Sequence, residues 1–130
     1  MTLQANLRRS PQDAERLVAA GVPVRLVKGA YIEPPARAHP YGPATDAAYA
    51  ELAAQLIAAG ARVRLASHDP VLRERLLDAG GIAGVEMLLG VRGSDAVALR
   101  DRGVQVGLYV PYGERWFRYL MRRRAEAQGA

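Results

Sequence analysis

Short runs of β-type residues alternate along the chain with longer stretches of helical periodicity. The runs are TLQA (2–5), VRLV (24–27), VRLA (63–66), VEML (85–88) and VQVGLYV (104–110). Each is followed by a turn and a helix start signal. Ser10-Pro11 sets a capping hydroxyl before a proline that suits the first helical position. Thr45-Asp46, Asp69-Pro70 and Ser94-Asp95 open the next three helices, and Gly113-Glu114 opens the last. Gly21, Gly60, Gly80 and Gly103 stop the first four, because a left-handed residue commonly ends a helix. Ala48, Leu52, Leu56 and Ala59 recur at spacings of three and four, which gives the second helix one apolar stripe. The longest irregular segment is EPPARAHPYGPA (33–44), whose prolines forbid a helix there.

Strands alternating with amphipathic helices pair in parallel through right-handed crossovers. Five such units fit two architectures. One is a doubly wound, flavodoxin-like sheet complete in itself. The other is part of a (β/α)₈ barrel, which needs about 250 residues in all. The chain has 130 residues, and size alone favours the first. The strand ends favour the second. They carry Gln4, then Arg25 and Lys28, then Ser67 and His68, then Glu86, then Tyr109. A doubly wound sheet gathers its chemistry at one switch point, whereas a barrel collects it from every strand around one mouth. The barrel reading predicts that strands 24–28, 62–67, 84–89 and 104–110 lie parallel and adjacent in chain order.

Composition narrows the chemistry. No cysteine is present, which excludes disulfides, Fe–S clusters and thiol catalysis. No run of about 18 apolar residues marks a membrane span, and the first residues lack the apolar core of a signal peptide, so a cytoplasmic location is the expectation. The net charge is +5, but the arginines are spread along the chain and mixed with acids, so nucleic-acid binding is not expected. There is no GxGxxG and no Walker loop. His39 and His68 form no metal constellation with nearby acids.

Individual residues sharpen the picture. Lys28 is the single lysine among 18 basic residues, at the end of an apolar run and just before Gly29. Arg25 interrupts VPVRLV, a strand expected to be buried on both faces. It reads either as a structural ion pair, with Glu86 two strands away, or as a cation aimed at a ligand in the barrel mouth. His68 stands at a strand-to-helix turn, where backbone N–H groups favour anions, and reads as a capping or core histidine or as a ligand contact. In ERWFRYLMRRRAEAQ (114–128), Phe117, Leu120, Met121 and Ala125 form an apolar face. Tyr119, Arg122, Arg123 and Glu126 share a second face, either a solvated basic surface or a grip for a carboxylate.

The segments RLVKGAY (25–31), ASHD (66–69), EMLLG (86–90), LYVPYG (108–113) and YLMRRRAE (119–126) follow TLQANL (2–7) in an order and spacing that resemble bacterial proline dehydrogenase of the monofunctional type. The resemblance covers the C-terminal half of its barrel. It implies a partial (β/α)₈ fold of about five units, corresponding to strands four to eight, with residues 1–130 as one barrel fragment lacking the first units. It implies FAD as cofactor and oxidation of L-proline to 1-pyrroline-5-carboxylate, with hydride passing to flavin N5. Gln4, Arg25, Lys28, Gly29, Ala30, Ser67, His68 and Glu126 match cofactor contacts, and Arg25 matches the arginine that hydrogen-bonds near flavin N5, which makes it the catalytic residue the resemblance implies. Tyr31, Tyr109, Tyr119, Arg122 and Arg123 match substrate contacts, the two arginines holding the proline carboxylate. Gly29 lets the backbone approach the ligand closely. The family's early-strand lysine and aspartate have no counterpart in these residues. A quinone-type electron acceptor and a peripheral association with the inner membrane follow from the same resemblance. The alternatives are an inactive remnant or half-barrel that pairs with a partner chain, and a flavodoxin-like binding module.

Overall fold

A computed structural model of the chain describes residues 1–31, 33–110, 112, 113, 117 and 121. Strands Thr2–Gln4 (β1), Val24–Val27 (β2), Val63–Ala66 (β3), Ile82–Leu88 (β4) and Val106–Tyr109 (β5) alternate with helices Ser10–Ala19 (α1), Pro43–Ala58 (α2), Pro70–Ala79 (α3) and Gly93–Asp101 (α4). The five strands form one sheet in the order β1-β2-β3-β4-β5. Every neighbouring pair is parallel. The order never reverses, so no switch point exists and the doubly wound alternative falls.

Alternation within the strands decides which side chains meet the helices. Val24 and Leu26, Val63 and Leu65, and Val85 and Met87 are buried, while Arg25, Arg64 and Glu86 between them are only partly covered. Residues two apart share one face of a strand. The buried set packs against Ala14, Tyr49, Leu52, Leu56, Leu72 and Leu76 around β1, β2 and β3. A second cluster joins Val85 and Met87 to Ala96 and Leu99 of α4. Truncating a fully buried leucine such as Leu26 to alanine costs about 2–5 kcal/mol. Among the described residues the opposite face of the sheet carries Arg25, Arg64 and Glu86 and packs against no helix.

Several local expectations change. α1 starts one residue earlier than a Ser10 cap allows: Arg9 takes the N-cap position, and buried Ser10 instead donates its hydroxyl to the Gln4 carbonyl. α2 starts at Pro43, inside the segment expected to be irregular throughout, because proline is tolerated in the first turn. Thr45 lies within that helix and donates to the Pro40 carbonyl at 2.9 Å. The buried stripe of α2 is Thr45, Tyr49, Leu52, Ala53 and Leu56, and Ala59 is exposed. Tyr49 displaces the alanine stripe because its hydroxyl reaches the Leu26 carbonyl at 3.0 Å, tying α2 to β2. Gly21, Gly60, Gly80 and Gly103 all take positive φ at helix ends. Phe117 and Met121 are helical and exposed, and the start of the last helix at Glu114 lies outside the described residues.

Candidate functional site

The strand alternation that sends Val24 and Leu26 to the helices turns Arg25 onto the open face. Its Nε donates to Glu86 Oε2 on β4 at 2.5 Å. Its guanidinium carbon lies 5.2 Å from the centroid of the Tyr109 ring on β5. The ion pair anticipated for Arg25 is therefore formed, and the side chain remains 26% exposed on the same face.

Lys28, just past the end of β2, sits between two helix N-termini. Its Nζ lies 2.5 Å from Asp46 Oδ1 in the first turn of α2 and 2.8 Å from Asp69 Oδ2 at the N-cap of α3. Asp69 is itself fixed. Its Oδ1 accepts from the Leu72 N–H at 3.1 Å, and its own N–H donates to Ser67 Oγ at 3.2 Å. This cluster gives a physical reason for the single lysine. An ammonium on a flexible stem offers three donors in different directions and can serve two carboxylates from two helices, whereas a guanidinium fork is planar. Burial works against the Lys28 charge, but the hydrogen bonds and fields of Asp46 and Asp69 outweigh it and raise its pKa above the ordinary lysine value. Burial likewise opposes the Asp69 charge, but the Lys28 hydrogen bond and the α3 N–H groups hold its carboxyl below the usual range.

Gly29 has φ +110, and a Cβ there would stand 2.1 Å from Asn6 Oδ1. The position a Cβ would take on Gly29 is thus occupied by the Asn6 side chain. Asn6 is 7% exposed, and its Oδ1 is buried with no hydrogen-bond partner among the described residues. Its backbone N–H donates to the Lys28 carbonyl at 2.9 Å, and its carbonyl accepts from the His39 N–H at 2.7 Å. Asn6 therefore ties β1, β2 and the 33–42 loop together just where the polar strand ends meet. Sequence reasoning missed it, and also missed Asp46 and Asp69 as partners of Lys28. The signal for Asp69 was present in its cap position, but nothing in the local sequence aims its second oxygen at Lys28.

Ser67 is buried, and His68 Nε2 accepts from the Leu88 N–H at 3.2 Å, which joins the ends of β3 and β4. An accepting Nε2 places the ring proton of a neutral imidazole on Nδ1. Gln4 is half-buried at the end of β1, while Ala30 and Tyr31 follow Gly29, with Tyr31 63% exposed. Tyr119, Arg122, Arg123 and Glu126 lie outside the described residues. Gln4, Lys28, Ser67, His68 and Tyr109 thus stand at or just past the C-terminal ends of four of the five strands, while Arg25 is the second residue of β2. Among the described residues no three His, Asp or Glu side chains group as metal ligands, and no helix is long and apolar enough to cross a membrane. A cavity of about 460 Å³ lies elsewhere, between α1 and α2, lined by Pro11, His39, Ala48, Leu52 and Gln55 among others.

A singly wound parallel sheet, helices on one face and polar strand ends on the other, defines a barrel-like α/β protein with its chemistry at the C-terminal ends of the strands. The Proline dehydrogenase family profile matches residues 1–130. The chain belongs to that family. It is 34% identical over 131 residues to Proline dehydrogenase 2 of Bacillus subtilis, covering 95% of this chain and 43% of that protein. It is 36% identical over 135 residues to Proline dehydrogenase of Deinococcus radiodurans, covering 95% and 42%. The chain therefore spans less than half the length of the curated relatives it matches. A crystal structure of Bradyrhizobium japonicum Proline Utilization A superposes with a TM-score of 0.80 at 21% identity, covering 99% of this chain and 16% of that one. A bifunctional proline utilization A protein superposes equally well. These likenesses establish the fold.

Proposed function

We propose that this chain forms the flavin- and proline-binding side of a proline dehydrogenase barrel, its five strands corresponding to strands four to eight. The observation that carries the reading is the meeting of Arg25 with Tyr109 on the face of the sheet turned away from the described helices, in a chain whose residues 1–130 all match the family. The reaction is oxidation of L-proline to 1-pyrroline-5-carboxylate. FAD, when bound, supplies the hydride acceptor.

The residues present fit such a cofactor. The orphaned, buried Asn6 Oδ1 is an acceptor in need of a donor. Arg25 and Lys28 supply cations, and Ser67 supplies a hydroxyl proton that its bond from Asp69 leaves unused. Gln4, Arg25, Lys28, Gly29, Ala30, Ser67, His68 and Glu126 would hold the cofactor. Tyr31, Tyr109 and Tyr119 would wall the substrate, and Arg122 and Arg123 would bind its carboxylate through charge-assisted hydrogen bonds. Glu86 orients Arg25 through their ion pair. Asp46 competes with any anionic group of the cofactor for Lys28, since it is the more exposed of the two carboxylates at 38% against 30%. A quinone-type acceptor and a peripheral approach to the membrane belong to the same reading.

The test is proline-dependent dye reduction by the flavin-loaded, complete enzyme. Replacing Arg122 and Arg123 together is expected to raise the proline KM at least about tenfold, as loss of one charged hydrogen bond costs about 1.5–3 kcal/mol, while much of the flavin stays bound. Unchanged proline kinetics would leave the stripe as a solvated face.

A further inference from the structure

Asn6 stands where the chain leaves β1, and it touches three separate parts of the fold. Its N–H donates to the Lys28 carbonyl at 2.9 Å, and its carbonyl accepts from the His39 N–H at 2.7 Å. Its carboxamide lies against Gly29. The Cβ position on Gly29 is 2.1 Å from Oδ1, 2.3 Å from Cγ and 2.7 Å from Nδ2. Cγ is nearly as near as Oδ1, so that point lies over the flat face of the amide and not beyond its edge. Oδ1 itself is buried with no donor among the described residues. A buried acceptor in that state destabilises the fold and calls for a reason. Volume is not the reason, since leucine fills a similar space without a polar atom. Capping is not, since Arg9 is the N-cap of α1. A turn closed by the side chain is not, since the Arg8 N–H donates to the Arg37 carbonyl at 2.9 Å instead. Shape remains: a planar amide is thin enough to lie flat on a bare Cα, and a branched aliphatic end is not.

Gly29 needs such a wall. Its φ of +110 is a conformation that L side chains rarely adopt, and a glycine free to reach it is free to reach many others. The three nearest atoms to its Cβ position all belong to Asn6, so the amide removes that freedom on one side. Gly29 directly follows Lys28, whose ammonium spans Asp46 and Asp69, and directly precedes Ala30 and Tyr31. From this we infer that Asn6 is a positioning residue: its amide, stacked on Gly29, holds the turn from Lys28 to Tyr31 in the conformer that binds the cofactor. The unbonded oxygen is the cost of a side chain flat enough for that task. The ligand role of Asn6 rests on the assignment of this turn to the cofactor under the proposed function. Its hold on the turn does not.

Lys28 reports on the turn directly. It is the only lysine, so isotope labelling of lysine gives one side-chain ammonium resonance. Freeing the turn lowers the fraction of molecules in the competent conformer, and the apparent dissociation constant of a ligand rises as that fraction falls. In the 130-residue chain, Asn6→Ala and Asn6→Leu are each expected to speed hydrogen exchange of the Lys28 ammonium at least about tenfold, because exchange proceeds from the opened conformers. Leucine leaves no cavity, so it decides the matter if the alanine variant does not fold. Leu99→Ala, in the second core cluster, is the control. It destabilises the fold away from the turn, and the ammonium exchange is expected to stay within about twofold of wild type. In the complete enzyme the two Asn6 variants are expected to weaken flavin binding at least about tenfold in equilibrium dialysis. Wild-type exchange in Asn6→Leu, or an equal acceleration by Leu99→Ala, overturns the positioning role whatever the flavin does. Faster exchange with unchanged flavin affinity overturns the assignment of the turn to the cofactor, and the ligand role of Asn6 with it.

Discussion

Arg25 on β2 lays its guanidinium over the ring of Tyr109 on β5, although β3 and β4 lie between them. The register puts Tyr109 four residues beyond the position on β5 level with Arg25. On a flat sheet that is about 14 Å sideways and about 13 Å along the strands, at about 4.8 Å per strand and 3.3 Å per residue. The diagonal exceeds what an arginine and a tyrosine span together. The contact exists because the sheet is coiled, so that interior side chains of distant strands converge. Curvature and candidate site are in this sense one feature.

A double-mutant cycle with Arg25→Met and Glu86→Gln should therefore report strong coupling. Each single change is expected to cost about 1–3 kcal/mol, since it strands a half-buried charge or removes a charged hydrogen bond. The double variant is expected to recover about 1 kcal/mol or more of their sum. Urea unfolding followed by circular dichroism measures this. Strict additivity would mean that the pair contributes nothing and that Arg25 serves a ligand alone.

Gly29→Ala is expected to be among the most damaging single-carbon additions to the chain. The new methyl meets Asn6 Oδ1 at 2.1 Å, and φ +110 is strained for any L side chain. A loss of about 2–4 kcal/mol is expected. Adding Asn6→Ala should remove the clash but not the strain, and so restore only part of the loss. Full rescue in thermal melts would show that backbone conformation at Gly29 is unimportant.

The Lys28 cluster predicts a definite pH response. The Asp69 pKa is lowered on folding from 3.8, so its contribution is complete above that value and is lost as pH falls through the lower folded pKa. The Lys28 pKa is raised from 10.5, so its contribution is complete below that value and is lost as pH rises through the higher folded pKa. Stability from this pair should be flat between the two and decline outside them. Asp69→Asn should flatten the acid limb of Tm against pH. A variant that keeps the full wild-type acid slope would assign that slope to other carboxylates.

Residues 1–130 as an isolated polypeptide are expected to retain no flavin and to oxidise no proline. Among the described residues β1 and β5 each pair with a neighbour on one side only, which leaves backbone N–H and C=O groups on their outer edges. Gel filtration after incubation with FAD, with flavin absorbance followed, checks this directly. Co-eluting flavin with turnover above about 1 s⁻¹ would show that copies of these residues complete one another.

Strand positions were readable because β-branched runs between glycine stops leave few other choices, and the observed strands fall within a few residues of VRLV, VRLA and VEML. Even the Arg25–Glu86 pair could be anticipated, since a buried arginine needs an acid and Glu86 stands at the matching strand end. The start of α2 could not, because Pro43 is equally at home in a loop and in a first turn. Asn6 and the double grip on Lys28 were hidden for another reason. Each depends on where one side-chain oxygen points after distant elements have packed, and no periodicity encodes that. The roles of Glu126, Tyr119, Arg122 and Arg123 rest on resemblance alone.

The bridge from Lys28 to Asp69 closes a loop of 41 residues. Such a bond needs β3 paired and the first turn of α3 wound, so it is expected to form late in folding rather than in its nucleus. Interactions absent from the transition state act on the escape rate from the native state and leave the entry rate almost untouched. Lys28 is then a brake on unfolding: in a chevron plot Lys28→Met should lift the unfolding limb and spare the refolding limb.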